Sequence, residues 1–191
     1  MNSFQNLKLM KLTFAVFLAL TGAASWVMAS REQSHTNGDP SIAVRIRYLE
    51  DVEEIRMLLT DYGRLLDAHD LAGYSRLFAQ DGEWVGGFGS AKGPARIQAL
   101  MEKNLGTTRT SKPGSTYHLL TNFEIDVHGD RATAWSRWSF TVSADNKPSI
   151  LYGGHYDDTL IREDGHWRFL RRVAMNDIPY SDPTAAKSIS N

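Results

Sequence analysis

Three residues of this 191-residue chain have the type and setting for proton transfer. Asp67 falls in the last turn of a predicted helix, where a carboxylate faces the negative end of the macrodipole. Helix stability gives no reason for an acid there. Asp67 is therefore either a solvated helix-end residue or a site residue, set at the margin of the apolar stripe with Gly63 one turn earlier leaving empty space above it. Tyr62 opens the same segment, YGRLLD, and falls on the stripe itself. Most such tyrosines are core residues whose hydroxyl finds one partner, but a phenol can also donate to a substrate carbonyl. His118 opens a strand in phase with Leu120 and Asn122. A strand histidine is more often structural, yet imidazole is the side chain whose ordinary pKa suits proton transfer near neutrality.

Other chemistries find less support. His155 and Asp157 in GGHYDD suggest metal ligands, but there is no HExxH and no paired-ligand spacing, so a surface or interface role fits better. No Ser–His–Asp arrangement can be argued. The run GGFGSAKG at 86–93 lacks the Gly-Lys-Ser/Thr ending of a phosphate loop and reads as a strand-to-helix turn. With 0 cysteines the chain has no disulfide or thiol chemistry. A net charge of −1 leaves no electrostatic footprint for nucleic acid. The pair Arg171–Arg172 is too short to form a basic patch. The supply of 5 Trp, 7 Tyr and 8 Phe is ample for a core and for the walls of a small-molecule pocket. Trp84, Phe88, Trp138 and Phe140 are core or pocket wall, and spacing alone does not separate the two.

The elements that must position these residues follow from periodicity. Asp39-Pro40 marks a helix start. Tyr48, Val52, Ile55, Leu59, Tyr62 and Leu66 then form one apolar stripe, flanked by Leu58 and Leu65, with the helix ending near Ala68-His69. Asp70 caps a second short helix, LAGYSRLFA. After the Asp81-Gly82 turn, GEWVGGF reads as a strand. Gly93-Pro94 opens a third helix, ARIQALMEKNL, and GTTRTSKPGS is a loop of the kind that borders sites. Alternating segments from Ser115 to Asp177, separated by turns at His128-Gly129-Asp130, Ala144–Pro148 and Asp164-Gly165, predict an antiparallel meander. Helices followed by a meander make an α+β domain with the helices on one face of a curved sheet.

The N-terminus reads as a secretory leader. Lys8 and Lys11 precede the apolar run LTFAVFLALTGAA, and Val27 and Ala29 suit a peptidase that cuts after Ala29. The run is shorter than the roughly 20 residues of a membrane span. The expected organisation is a signal peptide at 1–29, a flexible mature N-terminus at 30–43, an α+β domain at 44–178 and a disordered tail at 179–191. The mature protein is expected to be periplasmic or secreted, without stable membrane insertion.

Over residues 45–178 the chain resembles the SnoaL-like domain of the nuclear transport factor 2-like superfamily. The resemblance is carried by IRMLLTDYGRLLDAHD, YSRLFAQDGEW, HLLTNFEIDVHGDRATAWS, the GGHYDD strand and the closing DGHWRFLRR, in that order. It implies a cone-shaped half-barrel, with three helices on a mostly antiparallel sheet, an apolar pocket at its mouth and often a homodimer. Its members include scytalone dehydratase, ketosteroid isomerase-like enzymes, bile-acid 7α-dehydratase, polyketide cyclases and proteins with no known catalysis. Fold membership leaves function open. The resemblance places a catalytic carboxylate at Asp67, a pocket histidine at His118 and a pocket hydroxyl at Tyr62. His155 stands where the family more often has Arg or Lys, and Arg172 matches a family position after the Trp167 strand, where it either pairs with a buried carboxylate, meets substrate or is an ordinary outward arginine. The expectation is a lyase or isomerase that needs no cofactor or metal and acts on a small, apolar, ring-containing carbonyl compound. His118, oriented by Asp67, would take a proton, and Tyr62 would polarise the carbonyl. Trp84, Phe88, Asn122, Trp138, Tyr156 and Arg172 would contact the substrate. The alternative is a non-catalytic exported protein that binds a small ligand or a second copy of itself.

Overall fold

The computed structural model describes residues 40–109, 112 and 114–181. The chain divides into two units, 1–47 and 48–191. Of the first unit only residues 40–47 are described, and they are helical. The expected leader and most of the expected tail lie outside the described residues.

Helix α1 (Pro40–Ala68) begins on the proline expected at its first turn. Its stripe is buried from Ile55 onward. Ile55, Leu58, Leu59 and Tyr62 are in the core, whereas Tyr48 is exposed. His69, in the left-handed region at φ 60°, ends the helix. The Asp70 carboxylate then accepts the Gly73 N–H at 2.8 Å and caps α2 (Leu71–Ser75). That helix is shorter than its periodicity predicts. The chain becomes strand β1 (Phe78–Gly86), because Phe78 pairs with Phe169 and joins the sheet. The glycine-rich run expected to be a turn forms a second strand, β2 (Gly89–Lys92), which folds back on β1 with Trp84 opposite Ala91. Gly93 and Pro94 then open α3 (Pro94–Leu105), which buries Ile97 and Met101.

The meander consists of β3 (Thr116–His128), β4 (Arg131–Ala144), β5 (Lys147–Glu163) and β6 (His166–Ile178). Tight turns join them, with Gly129, Asp145, Asn146, Asp164 and Gly165 all at positive φ. The sheet order is β2-β1-β6-β5-β4-β3, and a short β7 (Tyr180–Ser181) pairs with β6. Among the described residues only the β1–β6 pairing is parallel. The result is the expected α+β arrangement, with helices packed on a curved, unclosed, mostly antiparallel sheet. Its core includes Leu59, Tyr74, Ile97, Leu160, Trp167 and Phe169, all at 1% exposure or less. Each such side chain contributes roughly 1.5–3 kcal/mol of transfer free energy. Arg162 fastens α1 to the end of β5. It bonds Asp51, reaches Asp130 at 3.2 Å and lies 4.6 Å from the centre of the Trp167 ring.

One irregularity matters for the site. Between Thr121 and Glu124 the β3–β4 register shifts, with Asn122 at φ 55°. Before this bulge His118 and Leu120 turn inward; after it Phe123, Ile125 and Val127 do.

Candidate active site

The last turns of α1 carry Tyr62 and Asp67, and the start of β3 lies across them. Gly63 makes that approach possible. A Cβ there would lie 2.8 Å from Leu120 Cδ1 and 3.4 Å from His118 Cβ. The space that the sequence leaves above Asp67 is filled by the strand.

The approach brings Asp67 and His118 together. Asp67 Oδ2 accepts the His118 backbone N–H at 2.8 Å, and Oδ1 lies 2.7 Å from Nδ1. Both side chains are largely covered, at 14% exposure for His118 and 18% for Asp67. A carboxylate has no proton to offer, so Nδ1 carries one, and in the neutral ring the lone pair is on Nε2. Nε2 has no hydrogen-bond partner among the described residues. The ring packs on Phe140, centroids 4.9 Å apart, and Trp138, 6.3 Å.

Both residues line a cavity of about 570 Å³, within the usual range for small-molecule sites. Tyr62, Trp84, Phe88, Trp138 and Tyr156 line it as well, so seven of the nine expected site residues share one space. Tyr62 is aimed by Trp84, whose indole N–H donates to its hydroxyl at 2.9 Å. An indole nitrogen cannot accept, so the phenol keeps its own proton to donate elsewhere. Trp138 stacks on Tyr156 at 5.7 Å, and Trp84 on Phe88 at 6.0 Å.

Two expected contacts are corrected. Asn122 is exposed and lies off the cavity, because the bulge that holds it at positive φ breaks the phase it would share with His118. Arg172 is fully buried behind the cavity wall, with Nε and Nη2 each 2.7 Å from the two oxygens of Asp158. Burial pushes the Asp158 carboxyl up, and Arg172 pulls it down without reversing the shift. Burial alone would lower the Arg172 guanidinium, but Asp158, with Tyr62 and Tyr156, more than offsets this and leaves it above its ordinary value. Burial also pushes the Tyr156 and Tyr74 phenols well up, which keeps both protonated.

The cavity also has walls that the sequence reading missed: Arg109 and Thr116 near its loop side, Tyr152, Ala174 and Asn176. Asn176 shares the inward phase of Arg172 and Ala174 along β6, a signal available in the sequence. Tyr152 follows a register shift that alternation could not show. His155 is not at the cavity. Its Nδ1 meets Asp177 at 2.9 Å and its ring stacks on Trp135 at 5.8 Å. Among the described residues no group of three or more His, Cys, Asp or Glu could hold a metal ion.

The SnoaL-like domain signature matches residues 47–173, most of the chain and every cavity-lining residue except Ala174 and Asn176. The chain belongs to the SnoaL-like domain family. Solved structures agree with that membership. An NTF2-like protein with a cystatin-like fold from Novosphingobium aromaticivorans is 31% identical, over 72% of this chain and 89% of its own, with a TM-score of 0.62. A protein of unknown function from Mycobacterium tuberculosis is 27% identical over 78% of this chain and 83% of its own, TM-score 0.61. A candidate scytalone dehydratase from N. aromaticivorans is 26% identical over 68% and 85%, TM-score 0.56. No curated protein matches this SnoaL-like chain in sequence.

Proposed function

We propose that this SnoaL-like protein is a lyase or isomerase that removes a proton α to the carbonyl of a small, ring-containing, largely apolar compound. The observation that carries the reading is the double engagement of His118 by Asp67 at 2.7 and 2.8 Å, at the edge of an aromatic-walled cavity. One carboxylate fixes the position of the strand, the tautomer of the ring and the direction of its free lone pair. Nε2 of His118 takes the proton from carbon. The C–H electron pair moves to the carbonyl oxygen, and the Tyr62 hydroxyl donates to the enolate oxygen. Asp67 stabilises the imidazolium that forms. Return of the proton to a different carbon completes an isomerisation. Delivery of the proton to a departing β-hydroxyl completes a dehydration with loss of water. The candidate scytalone dehydratase among the similar structures supports the second outcome.

The division of labour is reasonable in magnitude. A positioned general base supplies about 10²–10⁴-fold. A donor aimed at the developing oxyanion supplies about 10²–10³-fold more. Every group that these steps require is a side chain of the protein.

The test is a turnover screen with enones, β-hydroxy ketones and sterol-like compounds, followed by His118→Ala and Tyr62→Phe on any substrate found. His118→Ala should abolish measurable turnover while the protein stays folded. Tyr62→Phe should lower kcat more than it raises KM, because its hydrogen bond strengthens as the enolate forms. Full activity in His118→Ala would sink the mechanism. Unfolding of both variants would make the residues structural and favour the ligand-binding alternative.

A further inference from the structure

We infer that Arg172 is a positioning residue for this site: its buried guanidinium, stacked behind Tyr62, strengthens the Tyr62 hydroxyl as a donor to an oxyanion in the cavity. The inference rests on the reading of Tyr62 as that donor.

Arg172 cannot act by touching a ligand, since it is fully buried and lines no part of the cavity. It reaches the site through Tyr62. Arg172 Cζ lies 3.9 Å from the centre of the Tyr62 ring and 4.1 Å from those of Tyr156 and Phe169. Two of its nitrogens are occupied by Asp158, while Nη1 has no hydrogen-bond partner among the described residues. Stability does not require such a pair, because well-packed apolar residues in place of a buried ion pair are often neutral or stabilising. A cation on the face of a phenol ring favours any state in which the phenol oxygen gains negative charge, as it does when its proton is shared with an oxyanion. Exclusion of water magnifies the effect. On Tyr156, the other phenol against the same guanidinium, Asp158 opposes it only in part. Burial and the neighbouring Tyr62 push the Tyr156 phenol up, and against them the pull of Arg172 is stronger than the push of Asp158.

The geometry gives Tyr62 a division of contacts. Its oxygen accepts from Trp84 at 2.9 Å and its ring rests on the guanidinium, while the buried Tyr74 hydroxyl beside it competes with the cavity for its proton. Trp84 sets the direction of that proton, and Arg172 sets how strongly it is offered.

The test needs no substrate. Binding of substituted 2-naphthols of graded acidity is measured by calorimetry, with the naphthol oxygen standing in for an enolate oxygen. In the wild type affinity should rise with naphthol acidity. The paired replacement Arg172→Met with Asp158→Leu removes both charges together. It should weaken the most acidic naphthol by about tenfold and the least acidic by under about twofold. Tyr62→Phe should flatten the trend in the same way, and adding the paired replacement to it should change nothing more. Asp158→Asn keeps the guanidinium and removes its counter-charge, so the trend should steepen. A purely structural role would weaken all naphthols alike.

If Tyr62→Phe flattens the trend and the paired replacement does not, the inference falls and the donor reading of Tyr62 stands. If Tyr62→Phe leaves the trend intact, or no naphthol binds the wild type, the donor reading falls and takes the inference with it. If the paired replacement does not fold, Asp158→Asn decides: an unchanged or flatter trend overturns the inference.

Discussion

Asp67→Asn is the sharpest test of the proposed chemistry, because it changes one atom and almost no volume. The carboxylate accepts two hydrogen bonds from His118, at 2.8 Å from the backbone N–H and 2.7 Å from Nδ1. An amide oxygen can keep only one of these. If it keeps the backbone bond, its NH₂ group faces Nδ1, and two donors cannot share one line. The ring relieves this by moving its proton to Nε2, so that Nδ1 accepts from the amide. The fold then loses about one charge-assisted hydrogen bond, roughly 1.5–3 kcal/mol. Chemistry loses far more, since the lone pair that takes the substrate proton is now occupied. A wrong tautomer of this kind costs about 10⁴-fold in a Ser–His–Asp triad, and a fall in kcat of about 10²–10⁴-fold is expected here. Nitrogen-15 NMR of the histidine rings reads the tautomer without any substrate. It should show the His118 proton on Nδ1 in the wild type and on Nε2 in the variant. A wild-type ring protonated on Nε2, or a variant with undiminished kcat on a confirmed substrate, would refute the reasoning.

Further outcomes follow from the same structure. Leu59→Ala empties a fully buried position on α1 and should cost about 2–5 kcal/mol in chemical denaturation; an unchanged midpoint would mean that this helix face is not the packed one. Arg172→Met alone strands the Asp158 carboxylate and should cost about 3–5 kcal/mol at neutral pH. Asp158 is already raised in the fold, so its proton binds more readily in the folded chain than in the unfolded one, and the penalty should shrink as pH falls toward the ordinary value of 3.8; a penalty that is constant with pH would show that the carboxylate is not the source. Mass spectrometry of the exported fraction should find a mature N-terminus at or near Ser30, and an intact Met1 form in the membrane would overturn the leader. Sedimentation of the mature chain should give the expected homodimer, with Leu119→Glu, exposed on β3, giving a monomer; an unchanged dimer would place the interface elsewhere.

The periodic features of the sequence were legible, and the non-local ones were not. The apolar stripe of α1 and the alternation of β3 to β6 predict the helix, the meander and their turns. They also bring Asp67 and His118 into view, although only the fold shows that they touch. The parallel pairing of β1 with β6 leaves no local trace, since it depends on where the chain returns after the other strands have paired. β2 was hidden because its four residues, Gly89 to Lys92, carry no large apolar side chain to alternate and its strand state comes from backbone pairing with β1. Asn122 and Tyr152 were misjudged or missed for one reason: register shifts on β3 and β5 change which face a residue presents. Arg172 was legible as a partner for a carboxylate, but its depth was not.

Gly63 places this protein at odds with its own thermal robustness. A glycine inside an α-helix costs roughly 0.5–1 kcal/mol relative to alanine, so a search for stabilising substitutions would choose Gly63→Ala early. The added methyl would lie 2.8 Å from Leu120 Cδ1, which would have to turn aside, and 3.4 Å from His118 Cβ. The residue next to that strand contact is the one whose imidazole must meet Asp67. Selection for heat resistance alone would therefore crowd the joint between helix and strand at the residue that forms the dyad. Improved variants of this fold would have to find their stability elsewhere.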